Sequence, residues 1–452
     1  MKERALVIAL LLCSACAYHT VNAPLQTNAS PDYGYRFSNI TRPDDQTFVI
    51  VTMSGGGTRA SAFAYGVLQK LAATKIHDGG SDLLDSVDVI SSVSGGSFTA
   101  MYYALNGRNG LPEFKTKFLE PNVERRLIGS AFLPQNLFRL LFSRSFNRID
   151  LAAQYYDQVL YHGATYAKMP RKRPYVTVNA TEMDIGSPFQ FTQEQFDPIC
   201  SDLSAMKVSY AVASSSSFPV LLTPVNLRSY IGTCGYQPPG WVRFAANDDP
   251  LTRRYRYYSD LEALVQPERG YLHLIDGGVS DNIGLRGPYH AMTSLDTLQT
   301  GDLVGFSLLR LINRKKVQRV AIIVVDSKTE NPLSLDKSPA TPGILPVVLN
   351  ISETPMANYS FDTVQIMIET AKQMMRDQAV LAASNTPAPS YEFYPIYVTF
   401  GAVKDSDTRN ALNSIGTNYS LTPKQLKLLL DSAGKILDDS PAFNRLVKDL
   451  QH

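Results

Sequence analysis

The chain has 452 residues, of which 44% are hydrophobic and 10% aromatic, so it is long enough to bury a large core. Its formal net charge of +2 and its pI near 8.2 are close to balance. This balance gives no reason to expect nucleic acid or another polyanion as a partner.

The N-terminal segment predicts export from the cytoplasm. Lys2 and Arg4 precede a short apolar run at residues 5–12, which small residues follow. This order is typical of a secretory signal peptide. The run is much shorter than the roughly 20 apolar residues that cross a bilayer as a helix, and no later segment reaches that length. We therefore expect no transmembrane helix in the mature protein.

Cys16 resembles the acylated cysteine in the lipobox of bacterial lipoproteins. It follows two small residues, although Cys13 stands where that motif usually has leucine. The resemblance predicts a lipoprotein-type signal peptide over residues 1–16, cleavage before Cys16, and an N-terminal lipid anchor on a membrane surface. Ala17, in place of aspartate, is similar to lipoproteins sorted to the outer membrane. Ordinary cleavage with soluble export is the alternative.

Composition and periodicity divide the rest of the chain. Residues 17–46 are rich in Asn, Asp, Pro, Thr and Ser without sustained periodicity, which predicts a flexible tether. Residues 47–330 hold the strand and turn signals of one domain. Residues 331–452 are expected to form a helical extension packed on it, with a helix beginning at Thr422.

Two strand–turn–helix units lie close together near the start of the domain. The β-rich run Phe48–Met53 leads through glycines into a helical pattern, and Val87–Leu105 repeats the arrangement. Further strand candidates lie at 175–180 and 320–326, the latter a continuous apolar run that is typical of a buried parallel strand. These patterns predict an α/β sheet with helices on its faces.

The second unit contains a candidate nucleophile. Ser94 stands where a strand turns directly into a helix, and Gly95 and Gly96 leave room for the backbone to pass. This is the arrangement of a nucleophile elbow, whose usual pattern is Gly-x-Ser-x-Gly; here Ser92 takes the first glycine position. Because Ser-Gly-Gly also occurs in ordinary turns, the motif alone leaves a structural role open.

The first unit carries three consecutive glycines, Gly55, Gly56 and Gly57, at the start of its helix. Unshielded backbone N–H groups at a helix N-terminus favour negative charge. The loop lacks the glycine–lysine pair of a P-loop and does not fit a dinucleotide fingerprint. An oxyanion hole is the better interpretation, and a tight turn that permits close packing is the alternative.

A serine nucleophile needs a base. None of the six histidines has an obvious catalytic context: His19, His77, His162, His273, His290 and His452. Asp276 ends a short apolar run and precedes Gly277 and Gly278, so its carboxylate can approach another loop closely. If burial raises its pKa, Asp276 can accept the proton of Ser94; a turn-forming role is the alternative.

Taken together, these segments resemble the patatin-like phospholipase family over about Phe48–Asp326. The family has a glycine-rich oxyanion loop followed by arginine, then the elbow, then Asp-Gly-Gly or Asp-Gly-Ala, in that order. Two further stretches look like family segments, Asn179–Thr192 and Ala211–Pro224. Ser54 departs from the family pattern, which often has aspartate there.

The resemblance implies both a fold and a chemistry. It implies a three-layer α/β/α domain with a central, largely parallel sheet and a C-terminal helical addition. It also implies a serine lipid acyl hydrolase with a Ser94–Asp276 dyad, an oxyanion loop supported by Arg59, no metal and no organic cofactor. The expected substrate is a phospholipid or a related ester in the bacterial envelope. A non-catalytic envelope lipoprotein and an acyltransferase remain alternatives, and the oligomeric state is open.

Two features are left undecided by the residues. Cys200 and Cys234 either pair in an oxidising compartment or remain two free thiols, and neither has the spacing of a zinc site. Residues 127–148 are dense in Leu and Phe with interspersed arginines. This stretch is interpreted as a helix packed on the core, with contact to phospholipid headgroups as the alternative.

Overall fold

The computed structural model describes residues 19–41, 46–76, 82–219, 221–293, 317–330, 339, 341, 343–383 and 392–451. Cys16, His77 and His452 lie outside the described residues.

The strands within these ranges, in chain order, are β1 (Ala23–Pro24), β2 (Thr47–Met53), β3 (Val87–Val93), β4 (Tyr175–Glu182), β5 (Ser187–Gln190), β6 (Ser201–Asp202), β7 (Val225–Arg228), β8 (Tyr271–Asp276), β9 (Arg319–Asp326) and β10 (Glu392–Thr399). The central sheet has the order β10-β9-β2-β3-β4-β8-β7, and β5 pairs with β4 outside this path. Pairing is parallel from β10 to β4, whereas β5, β7 and β8 run antiparallel to their neighbours. The two central strands β2 and β3 are buried at every position.

The α-helices, in chain order, are α1 (Gly57–Ala73), α2 (Gly95–Phe114), α3 (Val123–Ala131), α4 (Pro134–Phe142), α5 (Arg148–Tyr156), α6 (Gln193–Phe196), α7 (Val208–Ser215), α8 (Trp241–Ala245), α9 (Arg253–Leu264), α10 (Gly278–Asp281), α11 (Arg286–Thr293), α12 (Ile344–Ala383), α13 (Ser406–Asn413), α14 (Pro423–Asp438) and α15 (Pro441–Gln451). They cover both faces of the sheet, and α14 packs on α1 while α15 packs on β10. The predicted α/β fold with a largely parallel central sheet and flanking helices is confirmed.

The C-terminal region differs from the predicted helical extension. It contributes β10, which pairs in parallel with β9 along its whole length and forms one edge of the sheet. Pro395 lies within β10, and an edge strand tolerates proline because one side of its backbone has no partner strand. The region from residue 392 onward is therefore part of the domain, and the boundary expected near residue 330 does not separate it from the sheet.

The segment predicted as a flexible tether is packed on the domain between residues 19 and 41. Tyr35 is buried, stacks on Tyr175 with 4.9 Å between ring centroids, and its hydroxyl accepts a hydrogen bond from Val176 N–H at 2.8 Å. Arg36 forms a buried ion pair with Asp197. These two side chains anchor the segment to the domain, so the tether prediction is wrong for this part of the chain. The prediction rests on the polar composition of the segment, which does not reveal single anchoring residues.

Cys200 and Cys234 form a disulfide, with 5.4 Å between their Cα atoms and a sequence separation of 34. Both are buried beside Leu25, whose N–H donates to the Cys200 carbonyl. The disulfide therefore links the segment after α6 to the loop after β7, and Leu25 of the N-terminal segment packs against it.

The favoured interpretation of residues 127–148 is a helix packed on the core, but helices α3 and α4 expose most of the large apolar side chains of this stretch. Leu140 and Phe146 are buried. Among the described residues, no helix is both long and apolar enough to cross a membrane.

Candidate active site

The predicted nucleophile, Ser94, lies at the junction of β3 and α2. Its backbone has φ 47° and ψ −117°, a left-handed conformation that a non-glycine residue seldom adopts. The Ser94 N–H donates to the hydroxyl of Ser215 at 2.7 Å. A side chain at Gly95 would place its Cβ 2.1 Å from the Gly57 carbonyl oxygen, so only glycine fits directly after the serine.

Asp276, the predicted base, ends β8 and reaches Ser94 across β4. Val93 of β3 pairs with Asn179 and Asp276 pairs with Ala180, so the two strand ends lie at the same level of β4. The Ser94 hydroxyl donates to Asp276 Oδ2 at 2.9 Å.

The surroundings of Asp276 favour a protonatable carboxyl group. The side chain is almost fully buried, and Oδ1 accepts a hydrogen bond from Gly278 N–H at 2.8 Å. Burial raises the pKa of Asp276 from 3.8 to about 7, while the hydrogen bonds from Gly278 and Ser94 lower it in part. A carboxyl group with this pKa can accept and return a proton near neutral pH.

Two of the histidines that the structure describes, His19 and His273, have positions that bear on the choice of base. His19 contacts Asp150 Oδ1 at 3.1 Å, and Asp150 raises the pKa of His19 through that hydrogen bond. His273 is three positions before Asp276 in β8, so its side chain leaves the opposite face of the strand. No hydrogen bond joins either histidine to Ser94 or Asp276.

The three loop glycines are not equivalent. Gly55 is buried and its N–H already donates to the Asn282 carbonyl at 2.9 Å, so it is not available as the oxyanion donor that was predicted. Gly56 and Gly57 are partly exposed, with φ of 132° and 61° that favour glycine. Within the described part of the chain, no acceptor bonds to the N–H of either residue. These two amides are the candidates for binding an oxyanion.

Arg59 connects the glycine loop to the C-terminal region. Its side chain is buried in the first turns of α1, and Nη1 donates to the Ile415 carbonyl. Thr58 N–H donates to the Asn418 carbonyl at 2.9 Å. A Cβ at Gly57 would lie 2.4 Å from that same carbonyl oxygen. The loop at 415–419 therefore holds the glycine loop in place.

Sequence reasoning missed the contribution of the 415–419 loop. Tyr419 donates its hydroxyl hydrogen to the Ser216 carbonyl at 3.3 Å, and its own carbonyl accepts Glu124 N–H. Burial raises the pKa of Tyr419 to about 12, and the nearby Asp276 charge adds to this shift. The loop lies more than 130 positions after Asp276 and has no motif, so only the fold brings it to the site.

Ser215 supports the strained backbone of Ser94. Its hydroxyl accepts the Ser94 N–H and donates to the Asn179 carbonyl at 2.6 Å, and Ser97 Oγ lies 3.2 Å away. Ser215 ends α7, within the small-residue stretch that resembles the family. Small side chains there allow α7 to approach the elbow closely.

Both departures from the family pattern have structural roles. Ser54 accepts the Ser327 N–H at 2.9 Å and donates to the Gly55 carbonyl at 3.0 Å, which ties the glycine loop to the end of β9. Ser92 is buried, donates to the Thr177 carbonyl at 2.9 Å, and is not among the described residues with positive φ. Glycine is therefore not required at position 92.

Asn282 is a further residue that sequence reasoning missed. Besides accepting Gly55 N–H, it places Oδ1 2.8 Å from the position that a Cβ on Gly278 would occupy. It therefore fills the space between the glycine loop and Asp276.

The described residues include no cluster of three or more His, Cys, Asp or Glu side chains arranged to hold a metal ion.

Comparison with known families identifies the class of protein. A family model described as patatin-like phospholipase matches residues 51–289, which is more than half of the chain and includes Gly55, Ser94 and Asp276. The chain belongs to the patatin-like phospholipase family. No curated protein matches the chain significantly.

Solved structures give more distant likenesses. Human GIVD cytosolic phospholipase A2 is 12% identical, with a TM-score of 0.42, 90% of this chain covered and 62% of the human chain. The same human protein in complex with methyl gamma-linolenyl fluorophosphonate gives 11% identity, a TM-score of 0.40, and coverage of 90% and 59%. VipD from Legionella pneumophila gives 14% identity, a TM-score of 0.30, and coverage of 88% and 67%. This chain thus spans less than two thirds of the human protein.

Proposed function

We propose that the protein is a phospholipid acyl hydrolase that uses Ser94 as nucleophile and Asp276 as general base. The single observation that carries the proposal is the 2.9 Å hydrogen bond from the Ser94 hydroxyl to Asp276 Oδ2. This distance is within the range over which a general base accepts a proton.

The proposed reaction follows from the positions of these groups. Ser94 Oγ attacks the ester carbonyl carbon while its proton moves to Asp276 Oδ2, and the carbonyl oxygen becomes negatively charged. The N–H groups of Gly56 and Gly57 stabilise this oxyanion, an interaction worth roughly 3–4 kcal/mol per donor in comparable sites. Asp276 then gives the proton to the leaving alcohol, and an acyl group remains on Ser94.

Deacylation uses the same groups in reverse roles. Water attacks the acyl carbonyl and loses its proton to Asp276, the oxyanion forms again beside Gly56 and Gly57, and collapse releases the fatty acid as the proton returns to Ser94 Oγ. Because the pKa of Asp276 is about 7, the carboxyl group can perform both transfers near neutral pH without histidine.

Product analysis tests the proposal. Purified protein incubated with phosphatidylethanolamine or phosphatidylglycerol should release one free fatty acid per lysophospholipid, and Ser94→Ala should release none. Transfer of the acyl group to an added alcohol or lysolipid, without free fatty acid, would instead indicate an acyltransferase. Tight lipid binding with no product from the wild-type protein would indicate a non-catalytic lipoprotein.

We further propose that the protein is anchored in the bacterial envelope through acylated Cys16. The support is the short apolar run that precedes this cysteine. Cys16→Ser should abolish incorporation of labelled fatty acid and leave an unprocessed precursor. Unchanged labelling of this variant would contradict the anchor.

A further inference from the structure

An apolar face lies on the pair of helices α3 and α4. Six large side chains there are exposed, and we define them as the docking face: Ile128, Phe132, Leu133, Phe138, Leu141 and Phe142. Phe138 and Phe142 are 65% and 69% exposed, with 5.0 Å between their ring centroids. Leu140, on the other side of α4, packs into the domain against Phe146 and Leu151. The helix is therefore amphipathic, with a second apolar side that the described residues do not cover.

The charged side chains between residues 125 and 148 are all positive. Residues 125–148 contain no Asp, Glu or Lys and five arginines: Arg125, Arg126, Arg139, Arg144 and Arg148. Arg125, Arg126, Arg139 and Arg144 are exposed. Apolar side chains flanked by arginines suit an anionic lipid surface, where the rings enter the acyl boundary and the guanidinium groups meet phosphates. A second copy of the same face would place arginines against arginines, which disfavours a symmetric dimer.

Residues at both ends of the segment are hydrogen-bonded to chain segments that adjoin the candidate active site. Immediately before it, the N–H of the exposed Glu124 donates to the carbonyl of Tyr419, whose hydroxyl contacts Ser216. At its end, Asn147 Oδ1 accepts the hydroxyl hydrogen of Thr223 at 2.9 Å, in the stretch that follows Ser215. A lipid surface on the docking face would therefore lie beside the chain segment that carries Ser215.

His19, the first residue that the structure describes, lies in the same region. His19 contacts Asp150 in the first turn of α5, the helix on which α4 packs through Leu151. A lipid anchor at Cys16 would thus join the domain next to the docking face.

We infer that the docking face binds the surface of an anionic phospholipid membrane and orients the site toward it. This inference deepens the proposed function, because a hydrolase of membrane phospholipid must take its substrate from such a surface. Its binding test does not depend on turnover, so the two proposals can fail separately.

Fluorescence quenching tests the contact directly in the full-length protein. In a Ser94→Ala background, Phe142→Trp should lose fluorescence on phosphatidylcholine–phosphatidylglycerol vesicles with brominated acyl chains. The protein's single native tryptophan, Trp241, gives the background fluorescence with which this signal is compared. Leu251→Trp is the matched control, since Leu251 is 95% exposed but lies outside the docking face. Arg126→Gln with Arg144→Gln should reduce the quenching, and so should removal of phosphatidylglycerol.

Kinetics give a second readout. Phe138→Ser with Phe142→Ser should lower turnover of vesicle phospholipid by about tenfold or more, while hydrolysis of a soluble short-chain ester is unchanged. Leu251→Ser should change neither rate. Equal quenching of Phe142→Trp and Leu251→Trp would overturn the inference, as would dimerisation of the protein through this face in sedimentation. If wild-type protein hydrolyses neither substrate but Phe142→Trp is quenched, the docking face stands and the proposed function fails.

Discussion

The Ser94 hydroxyl and Asp276 Oδ2 are 2.9 Å apart although 182 positions separate the two residues in sequence. Strand β4 lies between their strands, and its pairing sets both strand ends at the same level. The oxygen atoms of the two side chains meet in a buried site, where Asp276 is only 3% exposed and Ser94 8%. This relationship determines the first predictions.

Turnover should depend on the ionisation of Asp276. Burial raises the pKa of this carboxyl to about 7, and only its deprotonated form can accept the Ser94 proton. We therefore expect kcat/KM for a soluble ester to rise with pH up to about 7 and to level off above it. The measurement is a pH–rate profile between pH 5 and 9. A flat profile across this range would show that Asp276 is not the base.

Asp276 should also reduce the stability of the fold as pH rises. Its pKa in the folded protein is raised above the ordinary value of 3.8, so the folded state holds the proton more tightly than the unfolded state does. The contribution of this group to folding is therefore complete below about pH 4 and is lost progressively as pH rises to about 7. Asp276→Asn should match the wild-type Tm most closely near pH 4 and exceed it increasingly toward pH 8. Thermal unfolding at these two pH values checks the sign, and a difference that shrinks with rising pH would contradict it.

Ser215→Ala should impair the elbow without disturbing the rest of α7. It leaves the buried Ser94 N–H without its acceptor, which costs about 1–3 kcal/mol in comparable sites and loosens the nucleophile. We expect kcat to fall by about tenfold or more, with a smaller change in KM. Ser216→Ala is the matched control, because the Ser216 hydroxyl donates to carbonyls of α7, at Val212 and Ala213, whereas the Ser215 hydroxyl accepts the Ser94 N–H. Equal losses in both variants would show a general effect of packing.

Ser92 should tolerate glycine but not valine. Ser92→Gly keeps the small size that the turn requires, so most activity should remain, with a stability loss of about 0.5–1 kcal/mol for glycine within a strand. Ser97 Oγ lies 3.1 Å from Ser92 Oγ. In Ser92→Val the hydroxyl is replaced by methyl groups that crowd this neighbour, so activity should be lost. Ser92→Ala separates loss of the hydroxyl from crowding. Full activity of the valine variant would mean that the corner is wider than its contacts indicate.

The fold was predictable because its signals are local and repeated. Apolar, β-rich runs mark β2 and β9, and a serine followed by glycines comes after both β2 and β3. The N-terminal segment could not be predicted in this way, because its anchors are single side chains such as Tyr35 within a polar stretch. Strand β10 was missed for a related reason, since exposed and buried positions are mixed along it.

The candidate site was predictable only in the residues that carry motifs. Ser94, Asp276 and the glycine loop stand out because small residues surround each of them. The N–H of Gly55 is occupied because it donates to the Asn282 carbonyl. The glycine loop is supported by hydrogen bonds to the carbonyls of Asn418 and Ile415. Such contacts are made by backbone carbonyls of distant segments, which leave no mark on residue identity.

Covalent labelling tests the central claim most directly. A fluorophosphonate probe carries a phosphorus centre that mimics the tetrahedral intermediate, so an activated serine beside an oxyanion hole should react with it. Peptide mapping should place the adduct on Ser94, Ser94→Ala should not be labelled, and Asp276→Asn should react much more slowly. Turnover should fall by about 10³-fold or more in each single variant and hardly further in the double variant. Folded variants of His77, His162, His273 and His290, made one at a time, should still label. An adduct on another residue, or a histidine variant that folds yet loses labelling as completely as Asp276→Asn, would contradict the Ser94–Asp276 dyad.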